Sequence, residues 1–265
     1  MNFLVKFGGS LITFKNEVQS PRRDVIRMLA ADLVRARKAD PDLRLVLGHG
    51  SGSFGHVSGN RHKTREGVAT REQWLGFQEV WYDARKLNQI VVEELCSYDL
   101  PVIAFPPSSA VTARNKQVLD WDTYPIEEAL RNGLIPLING DVAFDTEING
   151  TILSTEDLFS YLLDRMRFDR ILLIGTEAGV WYDFPTKKRL LQSISPDELP
   201  SLMSTIQGSN ATDVTGGMAE KVRVMTALVQ KYDHLKVSIF SGEEPGNFFY
   251  ALLGGFPGTT IQLQA

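Results

Sequence analysis

Short apolar runs alternate along the chain with longer stretches whose apolar positions recur every three or four residues. "FLVKF" (3–7), "LRLVLGHG" (43–50), "PVIAF" (101–105), "LIPLING" (134–140), "RILLIG" (170–175) and "KVSIF" (236–240) are too short for typical helices and largely apolar. That is the signature of strands buried on both faces. Residues 21–39 instead carry Val25, Ile26, Leu29, Leu33 and Ala36 at helical spacing. Further helices are expected at about 70–98, 124–132, 157–165, 217–232 and 247–253. Strands alternating with crossover helices predict an α/β fold, with a largely parallel sheet covered on both faces and right-handed connections. "VAFDTEINGTIL" (142–153) breaks the scheme: two strand-like arms flank Asn149–Gly150, a hairpin turn signal. A soft lobe boundary falls near Phe168, where a fresh strand–helix series begins.

Composition narrows the function classes. At 265 residues, 43% hydrophobic and 23% charged, the chain has ample core material for one large α/β domain. A net charge of −4 argues against a nucleic-acid-binding surface. Cys96 is the only cysteine, so neither an intrachain disulfide nor a cysteine-based metal site is possible, which fits a reducing cytoplasm. The opening "MNFLVKFGGS" lacks a signal-peptide layout, and no apolar run approaches the roughly 18 residues of a membrane helix.

The candidate chemistry lies in four loops at or near the ends of strands, where open α/β sheets collect ligands. "VKFGGSL" (5–11) places Lys6 in the first strand and Gly8, Gly9 and Ser10 after it. "HGSGSFGH" (49–56) follows the second strand, "NGDV" (139–142) follows "PLI", and "DVTGGMAEK" (213–221) leads Gly216 and Gly217 into a helix carrying Lys221. Glycine lets backbone N–H groups approach an anion, and a following helix start adds positive potential. None of the four is the G-x-x-x-x-G-K-[ST] phosphate loop, and each also reads as a plain turn. Together they point to a phosphate-rich site. Of the histidines, His56 is a candidate phosphate donor. His49, where strand meets loop, is expected to pack or hydrogen-bond locally. His62 and His234 read as surface residues.

Taken in order, "KFGGSLIT-K", "HGSGSFGH", "NGDV" and "DVTGGM--K" resemble the amino-acid kinase superfamily and, within it, the isopentenyl phosphate kinases. The resemblance spans nearly the whole chain. It implies a three-layer αβα sandwich with a mainly parallel sheet, built as one domain over 1–265. About 1–167 would form the lobe for the phosphate acceptor and about 168–265 the lobe for ATP. It further implies Mg²⁺, with no metal cage of the protein's own, and a homodimer. Lys6 matches the lysine on the transferred phosphoryl group, and Lys15 a second lysine stabilising phosphate. His56 matches the histidine gripping the acceptor's phosphate. Lys221 matches the lysine on the ATP side, and Asp157 an acid that orients the active-site lysines. Gly8, Gly9, Ser10 and Gly52 match backbone phosphate contacts; Thr176, Gly216 and Gly217 fall on the nucleotide side. Ser51, Gly55, Gly140 and Thr155 fall on the acceptor side.

The implied reaction is ATP plus isopentenyl phosphate, with dimethylallyl phosphate as a second acceptor. Such an acceptor, with a second pKa of about 6, is mostly dianionic at pH 7 and needs no general base. The obstacle is repulsion between two anions, so the work is positioning and charge neutralisation. An apolar slot must take the prenyl tail, and Trp74, Phe77, Trp81 and Ala84 form an apolar stripe that either lines it or packs the core. Three departures from the pattern stand out. "IGTEAG" (174–179) puts Thr176 and Ala178 where many relatives carry acids, Ser51 replaces a glycine, and "STED" (154–157) replaces Ser-Gly-Asp-Asp. Fosfomycin kinase, with a compact phosphonate acceptor, is the alternative enzyme. A nucleotide-binding regulatory or storage protein on the same fold is the alternative outside catalysis.

Overall fold

The computed structural model describes residues 1–206 and 217–263. The elements run β1 (Asn2–Phe7), α1 (Gly9–Ile12), α2 (Arg23–Ala39), β2 (Arg44–His49), α3 (Gly52–His62), α4 (Arg71–Cys96), β3 (Val102–Ala104), β4 (Val111–Arg114), β5 (Gln117–Trp121) and α5 (Tyr124–Arg131). They continue with β6 (Ile135–Asn139), β7 (Asp141–Asp145), β8 (Asn149–Leu153), α6 (Thr155–Leu163), β9 (Arg170–Gly175), β10 (Ser193–Ile194), α7 (Leu199–Ile206), α8 (Gly217–Lys231), β11 (Lys236–Ser241), α9 (Asn247–Leu252) and β12 (Thr259–Ile261). Every apolar run singled out above is a strand.

Eight strands form one sheet in the order β10-β12-β11-β9-β1-β2-β6-β3. From β11 to β3 all neighbours are parallel; β12 runs antiparallel to β11. The sheet is continuous across residue 168, with β9 paired directly to β1. Period-2 alternation splits each strand between two cores. Phe3, Val5 and Phe7 of β1 pack with α2, α4 and α9, while Leu4 packs on the other face with α6 and α8. This is the three-layer α/β sandwich expected from the sequence. The same alternation sends Lys6 to the face of Leu4, toward α6.

A second sheet, β5-β4-β7-β8, was not foreseen in full. Arg114 pairs with Gln117, leaving a two-residue turn in which Asn115 and Lys116 have φ of 47° and 67°. In the β7–β8 hairpin the turn lies over 146–148, with Asp145 opposite Asn149. Asn149–Gly150 therefore opens the returning strand rather than forming the turn. The glycine-rich stretch after β2, expected as a loop, is the helix α3 from Gly52 to His62.

Candidate active site

A cavity of about 590 Å³ opens beyond the ends of β1, β2 and β9 and is lined by all four glycine-rich segments. Its size suits a small-molecule site. Helix α3 starts there, and α6 and α8 present Thr155 and Gly217 of their first turns. Each turns the positive end of its dipole toward the cavity, an arrangement that favours anions. Two of these loops touch. Gly52 has φ of +48°, and a Cβ there would lie 2.3 Å from Thr13 Oγ1 and 2.6 Å from the Gly9 carbonyl. Neither the backbone angle nor the space admits a side chain. Glycine at this point lets the β1 and β2 loops brace each other and both face the cavity.

Lys6 is only 8% exposed and forms an ion pair with Glu156, itself 7% exposed, in the first turn of α6. Burial pushes the Glu156 carboxyl up, but the charges of Lys6 and Lys221 outweigh that and hold it below its ordinary value. Glu156 therefore balances both lysines. The family resemblance implies Asp157 for this role. Its carboxylate instead accepts from Ser154 N at 2.8 Å and Ser154 Oγ at 2.7 Å, closing a capping box, and lies 3.6 Å from Arg65. The Ser-x-x-Asp signature in "STED" was the available signal: it assigns Asp157 to the cap and leaves Glu156 for the cavity.

The other expected residues fall into two groups. Lys15, Ser51, Gly55, His56, Gly140, Thr176, Gly217 and Lys221 all line the cavity, as do Gly8, Gly9 and Ser10. His56 sits half-buried one turn into α3. Thr155 also reaches the cavity wall, but its hydroxyl donates to the His49 carbonyl at 2.8 Å, tying α6 to β2. Gly216 lies outside the described residues. His49 is fully buried, with Nδ1 3.1 Å from the Gly50 carbonyl and Nε2 3.0 Å from Asn88 Oδ1. Burial pulls its imidazole below the usual value, and its ring ties the end of β2 to α4.

Three further charged residues stand on the wall: Arg65, which carried no sequence signal, Asp141 of "NGDV" and Glu177 of "IGTEAG". Arg65 lines the cavity from the turn after α3. Asp141, 3% exposed, accepts from Val142 N at 2.8 Å, and burial pushes its carboxyl up to about 6. Glu177 lines the cavity as well, with its carboxylate held by Trp181 Nε1 at 3.0 Å and Lys187 Nζ at 2.7 Å. Among the described residues no cluster of three or more His, Cys, Asp or Glu is placed to hold a metal.

Beside the cationic region, Val80 and Ala84 of α4, Val57 of α3 and Ile152 of β8 make an apolar wall. The aromatic stripe of α4 points elsewhere. Trp74, Phe77 and Phe144 stack with ring centroids 5.2–5.9 Å apart, packing α4 on the β7–β8 hairpin. Phe77 and Trp81 join the small core around Val68 and Val142.

Such a cavity can bind two phosphate groups, neutralise them with lysines, and hold an apolar group alongside. The family pattern of the amino acid kinases matches residues 1–241. The isopentenyl phosphate kinase of Methanocaldococcus jannaschii is 31% identical over 97% of this chain and 97% of its own length. That of Methanothermobacter thermautotrophicus is 31% identical over 95% of both chains. A crystal structure of an isopentenyl phosphate kinase superposes with a TM-score of 0.83 at 26% identity, covering 98% of this chain and 100% of that one. The chain belongs to the amino acid kinase family, among the isopentenyl phosphate kinases.

Proposed function

We propose that the protein transfers the γ-phosphoryl group of ATP to isopentenyl phosphate, releasing ADP and isopentenyl diphosphate. A phosphate oxygen of the acceptor attacks the γ-phosphorus, and the bond to the β–γ bridging oxygen breaks. The observation that carries this reading is the juxtaposition of Lys6, Glu156 and Lys221 with an apolar wall of Val80, Ala84 and Ile152 in one cavity. The charge cluster suits two anions meeting in line. The wall suits a prenyl tail and gives a compact phosphonate such as fosfomycin little to bind.

Lys6 and Lys221 take the charge that develops on the transferring group, and Glu156 holds both in place. Lys15 adds a third cation from the loop after β1. His56, with Ser51, Gly55 and Gly140 beside it, grips the acceptor's phosphate through a ring N–H. Gly8, Gly9, Ser10, Gly52, Thr176 and Gly217 approach the nucleotide's phosphates. Segment 1–167 serves mainly the acceptor and 168–265 mainly the nucleotide. Mg²⁺ would arrive with the nucleotide and offset phosphate charge, since among the described residues no carboxylate cluster is placed to hold it alone. Among the described residues no helix is long and apolar enough to cross a membrane. We take the working form to be a cytoplasmic homodimer.

The test is ADP release with Mg-ATP and, in turn, isopentenyl phosphate, dimethylallyl phosphate and fosfomycin. Turnover of the prenyl phosphates is expected; no turnover of either sinks the proposal. His56→Ala should weaken acceptor use strongly and leave nucleotide binding nearly intact. Equal loss of both would make His56 a structural residue.

A further inference from the structure

Asp83 stands out on α4. It is 6% exposed and shares a helical face with Val80, Ala84 and Leu87, all nearly or fully buried. A carboxylate on an apolar stripe is costly unless it is hydrogen-bonded. Its partner comes from a distant segment: Gln19 Nε2 donates to Asp83 Oδ1 at 2.7 Å. The other end of the same amide accepts from Lys86 Nζ at 3.1 Å, and Lys86 Nζ lies 3.8 Å from Asp83 Oδ1. Gln19 is thus gripped at both ends of its amide. Its backbone is left-handed, with φ of +52°, a conformation unfavourable for a residue with a side chain.

Gln19 belongs to the loop that carries Lys15. That loop is pinned at its start, where Thr13 Oγ1 accepts from Ser53 N at 3.0 Å and donates to the Gly9 carbonyl at 2.8 Å. It closes on itself through Phe14 N to the Ser20 carbonyl at 2.9 Å. Gln19 N reaches the Ser53 carbonyl at 3.3 Å, and Arg22 N the Ile12 carbonyl at 2.8 Å. Lys15 lies in the span between Thr13 and Gln19, exposed to solvent yet on the cavity wall. The backbone bonds tie the loop to α1 and α3. The Gln19 amide ties it to α4, through Asp83 and Lys86, and the residue after Asp83, Ala84, walls the apolar end of the cavity.

We propose that Asp83 is a positioning residue: through Gln19 it sets the loop so that Lys15 faces the transferring phosphoryl group. The inference rests on the role given to Lys15 above. Asp83 touches no substrate, so its loss should misplace a cation rather than remove one, and small misplacements are costly in phosphoryl transfer.

The test measures ADP release with isopentenyl phosphate and Mg-ATP, and ADP affinity by calorimetry. Asp83→Leu and Gln19→Ala should each lower kcat by about tenfold to a hundredfold. The acceptor KM and ADP affinity should stay within about twofold of wild type. Asp83→Asn keeps an acceptor oxygen for Gln19 and should restore most of kcat. In a Lys15→Ala background, Asp83→Leu should cause no further fall. If Lys15→Ala leaves kcat unchanged, the role of Lys15 fails. If Lys15→Ala is slow and Asp83→Leu slows it again by its full factor, the positioning inference fails. Wild-type kcat in Gln19→Ala also overturns it, and that variant decides the matter if Asp83→Leu does not fold.

Discussion

Replacing Glu156 by Gln removes one negative charge from a buried cluster and changes little else. Lys6 is 8% exposed and Glu156 7%, so water screens neither well. Breaking a buried pair by removing one partner typically costs about 3–5 kcal/mol. The amide oxygen still accepts from Lys6, which favours the lower end, about 3 kcal/mol. For 265 residues, an unfolding entropy of about 2.1 cal/mol/K per residue turns that into a Tm lower by about 5 °C. The sign with pH is definite. The folded carboxyl sits below its ordinary 4.5, so its contribution is present above that pH and lost as pH falls through the depressed value. The gap between wild type and Glu156→Gln should therefore be full at pH 7 and close in acid. A nucleotide brings back negative charge, so ADP should raise the Tm of Glu156→Gln more than that of wild type. Asp157→Ala is the control: it removes a capping box, costs about 1 kcal/mol, and should leave the ADP-induced rise unchanged. Thermal melts with and without ADP at pH 7, and without ADP through a series of pH values falling below 4.5, decide it. A Glu156→Gln protein that melts with wild type, or an Asp157→Ala protein with the larger change in ADP response, would refute the assignment of the lysine partner to Glu156.

Two other outcomes follow from the geometry. Gly52→Ala must place a Cβ 2.6 Å from the Gly9 carbonyl at a φ of +48°; the backbone angle alone costs about 1–2 kcal/mol. A urea melt should show at least that loss, and Thr13→Ala should fail to rescue it because the second clash is with backbone. Asp141→Asn works in the opposite direction: its carboxyl, raised from 3.8 to about 6, destabilises the fold increasingly as pH rises between those values. The variant should be more stable than wild type above pH 6, by up to about 3 kcal/mol, with the gap vanishing near pH 4; a gap that grows in acid would contradict the burial argument.

The parallel sheet was legible because strands covered on both faces have no polar face and read as plain apolar runs. The second sheet was not, because side chains rather than residue pattern make its turns. Asn115–Lys116 lacks the glycine usual at the second position of such a turn. The Asp145 carboxylate supplies what is missing, accepting from Asn115 N at 3.0 Å and Lys116 N at 2.8 Å, and from Glu147 N at 2.9 Å in the neighbouring turn. No local window reveals a carboxylate that arrives from 29 residues away. Helix α3 was hidden for another reason. Its glycines and serines are weak helix formers, and tertiary contact stabilises it instead, with Phe54 3% exposed in the main core. The glycine-rich loops could be placed at strand ends from sequence. The choice between Glu156 and Asp157 turned on helix phase, which the cap at Ser154 sets.

Lys6 sits mid-sheet, between β2 and β9, with its side chain already ion-paired in the folded chain. A lysine loses about 1.5–2 kcal/mol of rotamer freedom when it is fixed. For Lys6 that loss falls within folding itself, and a nucleotide meets an ordered ammonium. Exposed Lys15 has its loop held but its own stem still to order. On the roles proposed for them, the two lysines divide the cost of ordering between two moments: Lys6 within folding, Lys15 only as the phosphates come together.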